Sequence, residues 1–325
     1  MIYIIFQSVI FIFWIVLLPD MTWAASTRTQ TIELKAGWNA VFLEVEPLTP
    51  KPDTVFADMP VLQALTYYPK NSSVEFIVDP KEISWNKAGW HGWVPKDKSE
   101  AVLNNLYSLQ AGQAYLLRCA TDYTWKLTGE VKFKQKKWQP NAYNLTGFYV
   151  DPASPPTFER YFKGTRSAEQ IRIFALKNDN WAETSLKELI HANQAYWVWY
   201  QGEADYPGPL GIKLQAGGDE LTFLSSIKQA QITVTNRSSE PFGWRMEQAS
   251  ESAIPLFVEK TDKEMKTRFE NLTQLVSETP LSSSNQQVIR LASGNNATSS
   301  DVMRGVLMIS GDMGVRFHIP VAVKN

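Results

Sequence analysis

Gly37-Trp38-Asn39-Ala40-Val41-Phe42-Leu43-Glu44-Val45-Glu46-Pro47 returns, altered but recognisable, as Ala142-Tyr143-Asn144-Leu145-Thr146-Gly147-Phe148-Tyr149-Val150-Asp151-Pro152. In both stretches an aromatic residue and an asparagine open an apolar run, and an acid followed by proline closes it. This describes a strand with defined ends, because proline cannot continue a hydrogen-bonded ladder. Val41, Leu43 and Val45 alternate with Phe42 and Glu44, so one face is expected on a core and the other toward solvent. Glu44 and Glu46 have the spacing of a glycosidase carboxyl pair. Their echoes argue against that use: Glu46 becomes Asp151, a strand-ending acid, whereas Glu44 becomes Tyr149.

A second pair of anchors follows. Ala111-Gly112-Gln113-Ala114-Tyr115-Leu116-Leu117-Arg118 is matched by Ala192-Asn193-Gln194-Ala195-Tyr196-Trp197-Val198-Trp199. The separation between copies falls from 105 at Asn39 and Asn144 to 81 at Tyr115 and Tyr196, so the first copy carries about 24 more residues, at roughly 73–105. A long insertion on a repeated scaffold is where individual function tends to sit. In the first copy Asp53 is expected to cap a helical turn over 54–58, with strands over 61–68, 75–78 and 125–128. In the second, 157–162 replaces the turn, 171–176 the next strand, and Trp181 takes the place of Trp85. Tyr196, Val198 and Tyr200 opposite Trp197 and Trp199 make a strand that reads as buried on both faces.

After 208–211 the pattern becomes one of short strands, over 212–215, 221–225, 231–235, 243–247, 254–259, 287–292, 302–310 and 315–323, with 311–314 as a hairpin turn. That number of strands in this length describes an immunoglobulin-like sandwich. Thr261 and Glu264 have capping-box spacing, and Met265, Phe269, Leu272 and Val276 keep helical spacing, against β-rich neighbours; helix and strand both stay open for 261–281. The expected fold is therefore mainly β. Its units are a signal peptide or uncleaved anchor at 1–24, a β-rich repeat with the insertion at 33–130, a second repeat at 138–209, and an immunoglobulin-like β-sandwich at 210–325.

The Gly37-Trp38-Asn39 and Tyr143-Asn144-Leu145-Thr146-Gly147-Phe148 openings, the Ala-x-Gln-Ala-Tyr turns, and the closing Gly305-Val306-Leu307-Met308-Ile309-Ser310 with Ile319-Pro320-Val321 resemble a group of uncharacterised secreted bacterial proteins. Those have paired β-rich repeats followed by an immunoglobulin-like domain. The resemblance spans nearly all of the chain after the N-terminal segment and implies architecture and export; it brings no catalytic residues. Ala142-Tyr143 stands where the pattern has Gly-Trp, so the opening turn of the second copy is expected to differ.

The apolar run over 2–18, broken by Pro19 and Asp20, is a targeting segment, with Thr22-Trp23-Ala24 offering small residues for cleavage before Ala25. No further stretch has the length and apolarity of a membrane span, so membrane contact is expected only through this segment if it is left uncleaved. The net charge of −1 and the lack of a long basic run exclude the electrostatic footprint of a nucleic-acid binder. Lys132, Lys134, Lys136 and Lys137, the densest basic cluster, are expected to be solvated. The single cysteine, Cys119, shares a strand face with Tyr115 and reads as a small buried apolar residue.

Chemistry is sparse. His318 is expected to face solvent beside Arg316, and His191 to lie at a turn; phosphate loops, nucleotide fingerprints and zinc spacings are absent, so no catalytic residue, metal site or cofactor is expected. The remaining candidate lies in the insertion: Trp85-Asn86-Lys87-Ala88-Gly89-Trp90-His91-Gly92-Trp93, downstream of Asp79 and Glu82. Trp90 and Trp93 would form a stacking platform for sugar rings, with His91, Asp79 and Glu82 as polar partners, or else pack over a sheet edge. The expected function is that of an exported, non-enzymatic binding or structural protein, periplasmic or at the cell surface. Its partner would be an envelope or extracellular protein or glycan. The alternative is a carbohydrate-active or other hydrolase built on the insertion.

Overall fold

The structure is a computed structural model that describes residues 26–68, 89–165, 168–250, 254–261, 266–294 and 302–324. The segment 1–24, Asp79, Glu82, Trp85, the strand expected over 75–78, Glu264 and Met265 lie outside the described residues. The fold is mainly β. The chain forms β1 (Thr27–Leu34), β2 (Gly37–Leu43), β3 (Val45–Pro47), the helical turn α1 (Pro52–Val55), β4 (Val61–Tyr67), β5 (Trp90–Trp93), β6 (Gln113–Cys119) and β7 (Tyr123–Val131). It continues with β8 (Ala142–Thr146), α2 (Phe158–Phe162), β9 (Arg172–Lys177), β10 (Asn180–Thr184) and β11 (Tyr196–Tyr200). The last part holds β12 (Leu210–Leu214), β13 (Leu221–Phe223), β14 (Gln229–Asn236), β15 (Trp244–Gln248), β16 (Leu256–Thr261), β17 (Thr267–Asn271), β18 (Gln274–Val276), β19 (Gln286–Ser293), β20 (Met303–Gly311) and β21 (Arg316–Val323).

Two four-stranded antiparallel sheets have the same strand order, β2-β6-β4-β5 and β8-β11-β9-β10. Tyr115 stands opposite Val41 and Tyr196 opposite Thr146, the register that the sequence echo implies. The same asparagine holds each opening turn. Asn39 Nδ2 donates to the carbonyls of Lys35, Gly37 and Leu117 while its Oδ1 accepts from Lys35 N; Asn144 does the same with Gln139, Ala142 and Val198. The Tyr115 hydroxyl accepts from Gln110 N at 2.8 Å and the Tyr196 hydroxyl from His191 N at 3.0 Å. The opening turns differ as expected: the left-handed residue is Gly37 in one and Asn141, at φ 57°, in the other.

Extending these ladders corrects one match. Leu65 faces Leu116 as Phe174 faces Trp197, so Tyr67 corresponds to Leu176, and their hairpin partners are Trp90 and Trp181. Trp90, not Trp85, is the counterpart of Trp181; aligning across an insertion misplaced it. Asp53 does not cap α1 either, since its carboxylate is taken by the Trp93 indole and Lys96.

The two sheets pack face to face. Trp38, Phe42, Leu65, Tyr67, Trp90 and Leu116 from one meet Leu145, Phe174, Trp181 and Trp197 from the other. Phe42 N donates to Asn193 O at 2.8 Å and Ala195 N to Ala40 O at 3.0 Å across this seam. The expectation of a solvated face for β2 therefore fails: Phe42 lies in the seam and Glu44 is buried as well. A third sheet, β1-β7-β3, covers the outer face of the first, with Ile32, Leu34, Trp125 and Leu127 packed on Val41, Leu43, Tyr115, Leu117 and Cys119. β1 carries the Thr-rich alternation that the sequence reading passed over.

The last part is a sandwich of two five-stranded sheets, β12-β14-β19-β16-β17 and β13-β21-β20-β15-β18. Its core runs without a break into the outer face of the second sheet, through Tyr196, Val198 and Tyr200. The described part of the open segment carries strand, because β17 pairs back along β16 over Phe257–Thr261 and β18 pairs with β15; ladder partners override the local helical spacing.

Candidate functional site

Three of the five candidate residues share β5, the outer strand of the first sheet. Trp90 and Trp93 are each 5% exposed. Being three apart on a strand, they point to opposite faces. Trp90 packs 5.3 Å from Tyr67 and 6.0 Å from Trp197 in the seam, and Trp93 packs 5.1 Å from Phe56 and donates its indole proton to Asp53 Oδ1 at 2.8 Å. Neither ring offers a face for a sugar, so the stacking platform is not formed. His91 is half-buried, with Nδ1 3.0 Å from Asn105 O and its ring edge-on to Tyr68. The insertion residues after β5 fold back along it: Asn105 N and Leu106 N donate to Gly92 O, and the Asn104 and Asn105 side chains bond Val94 N and Gly92 N. On the 3₁₀ turn Ser99–Leu103 that precedes them, Val102 is 88% exposed and Leu103 is exposed as well, and Tyr107, just after them, is 76% exposed.

Sequence reasoning missed the buried charge cluster. Glu44, 3% exposed at the bend between β2 and β3, accepts from Arg28 of β1 and, at 3.5 Å, from Arg316 Nη2 of β21. Its backbone N–H is held by Gln30 Oε1 at 2.8 Å, while Gln30 Nε2 reaches Phe42 O and Asn193 Oδ1. One carboxylate thus ties the third sheet, the first sheet and the sandwich together. His318 is half-buried here rather than solvated; burial, then the charges of Arg28 and Arg316, hold its pKa well below the usual histidine value. The doubly paired carboxylate makes this a structural clamp between the three sheets. Cys119 is buried as expected, and burial pushes its thiol up to about 11, which removes it as a nucleophile.

The lysine cluster is not uniformly solvated. Lys134 and Lys137 are exposed and Lys132 pairs with Glu130 at 2.6 Å, but Lys136 turns inward. Its ammonium stands 5.0 Å from the Trp138 ring centre and 6.0 Å from those of Phe42 and Phe148.

No family model matches the sequence, and no curated protein matches it. Among solved structures it is similar to a PapD-like domain of human CEP192, at 7% identity and TM-score 0.23 over 36% of this chain and 84% of that one. It is also similar to the YadV chaperone, at 12% identity and TM-score 0.25 over 36% of this chain and 51% of that one. A third is the Salmonella enterica SafA pilin in complex with the SafB chaperone, at 12% identity and TM-score 0.25 over 35% and 54%. The match therefore spans about half the length of the chaperone chains. Likenesses of this size bear on no functional assignment. Among the described residues no helix is long and apolar enough to cross a membrane.

Proposed function

We propose that the chain is an exported, non-enzymatic binding or structural protein of the bacterial envelope or cell surface. On this proposal it belongs with the secreted two-repeat proteins that its sequence resembles, and it takes a protein partner on the insertion-bearing edge of the first sheet. One observation carries it: Trp90 and Trp93 of β5 are spent on packing, yet the segment that folds back along β5 holds Val102 and, just past the insertion, Tyr107 in solvent. Aliphatic and tyrosine side chains presented on a rigid edge are the anchors that protein interfaces use. The hydrolase alternative loses its stacking surface with the burial of Trp90 and Trp93.

The test is capture of envelope proteins on the purified chain, side by side with Val102→Asp and Tyr107→Ser variants of unchanged melting temperature. A partner retained by the wild type and lost from both variants is expected. Equal retention by all three would remove the edge of the first sheet as the contact surface.

A further inference from the structure

The seam between the first two sheets contains a cavity of about 230 Å³, closed on one side by the linker residues Lys134, Gln135, Lys136 and Lys137. Phe42, Tyr67 and Gln113 line it from the first sheet, and Asn144 and Tyr149 from the second. It exists partly because Gly112 has no side chain: at φ 75° a Cβ there would stand 3.1 Å from the Tyr149 hydroxyl. Three lysines line this space and no acid does. Among the described residues Lys136 makes no ion pair; its ammonium, with three protons to donate, has one hydrogen-bond acceptor, Gly147 O at 3.4 Å, and otherwise the rings of Trp138, Phe42 and Phe148. Among the described residues the buried Tyr149 hydroxyl, on the same wall, has no hydrogen-bond partner either.

From these features we infer that the cavity is a binding site for a small organic carboxylate, whose anionic end pairs with Lys136 and whose body lies against Phe42 and Tyr67. The space suits about eight water-sized groups at ~30 Å³ each, the scale of a benzoate or a sugar acid. Burial without a counter-charge lowers the Lys136 pKa to about 7, so an anion beside it restores its proton and binding takes up hydrogen ion. The other titratable groups facing the cavity are Lys134 and Lys137 on the linker, and Tyr67 and Tyr149 from the sheets, both of whose pKa values burial raises.

Calorimetric titration of the full exported chain at constant ionic strength tests this, with benzoate and glucuronate as probes. Benzyl alcohol and glucose serve as their neutral counterparts and inorganic phosphate as a competing anion. At least one carboxylate should bind one-to-one at pH 6 with Kd of about 1 mM or tighter, and about tenfold more weakly at pH 8. Its neutral counterpart should not bind; Lys136→Gln should abolish the signal and Lys213→Gln preserve it. Failure of both carboxylates to saturate, tighter binding of phosphate, or undiminished binding by Lys136→Gln would overturn the inference. Should Lys136→Gln not fold, lysine side-chain NMR of the wild type decides. The carboxylate should raise one amine titration from about 7 by a unit or more; an unmoved midpoint is a refutation.

Discussion

The first and second sheets share a strand order and little else in sequence, and the positions at which they agree differ in kind from those at which they do not. Asn39 and Asn144 bond backbone, as do Tyr115 and Tyr196, and Gly112 and Asn193 both take left-handed φ, at 75° and 66°. Each serves its own sheet, so both copies need it. The residues that face the seam have diverged: Trp38 against Tyr143, Phe42 against Gly147, Leu116 against Trp197. There each sheet fits the other, and identity would produce a clash. A Cβ on Gly147 would lie 2.2 Å from Phe42 Cγ, so the ring of one copy occupies the space that its counterpart leaves.

Substitution at matched positions can break this contrast. Trp197→Ala, at the fully buried centre of the seam, is expected to cost about 3–5 kcal/mol, more than Leu116→Ala at the corresponding position. Chemical denaturation of the two variants checks it, and equal losses would mean that the seam is not asymmetric. Asn39→Ala and Asn144→Ala should each cost ~1–3 kcal/mol, Asn144 the more because it is buried; a negligible loss at either would show that the repeated asparagine is not a clamp. The contact with the sandwich has its own signature. The unfolded chain accepts a proton that the folded His318 refuses, so stability is highest above the ordinary histidine pKa and falls below it. The loss sets in as pH falls through ~6.5, the ordinary histidine value. Melting curves of wild type and His318→Asn between pH 5 and 7 should therefore diverge as pH falls, the wild type losing more stability, and parallel curves would contradict the burial of His318.

What was legible in the sequence follows the same division. Asn-opened strands and Ala-x-Gln-Ala-Tyr turns could be recognised because the groups they bond lie within a few residues or on a predictable neighbouring strand. Double burial of β2 was not legible: Phe42 meets Gly147 and Tyr149, which nothing near residue 42 announces. Glu44 read as a solvent-facing or discarded catalytic acid because its partners, Arg28 and Arg316, come from opposite ends of the chain. Inward-turned Lys136 looked like its exposed neighbours for the same reason. One signal was available and overlooked: Trp90 and Trp93, three residues apart, cannot share a face on a strand. The mismatch of Trp85 with Trp181 came from sliding the copies past an insertion that only the ladder of β4 and β5 locates.

Mutual complementarity at the seam holds the two sheets together, and a double-mutant cycle at Phe42 and Gly147 measures it. Gly147→Ala alone is expected to destabilise by about 1–3 kcal/mol through overpacking. In a Phe42→Ala background, where the ring that occupies its space is gone, the same change should cost far less, giving a coupling of about 1 kcal/mol or more. Losses that add to within ~0.5 kcal/mol would contradict that complementarity.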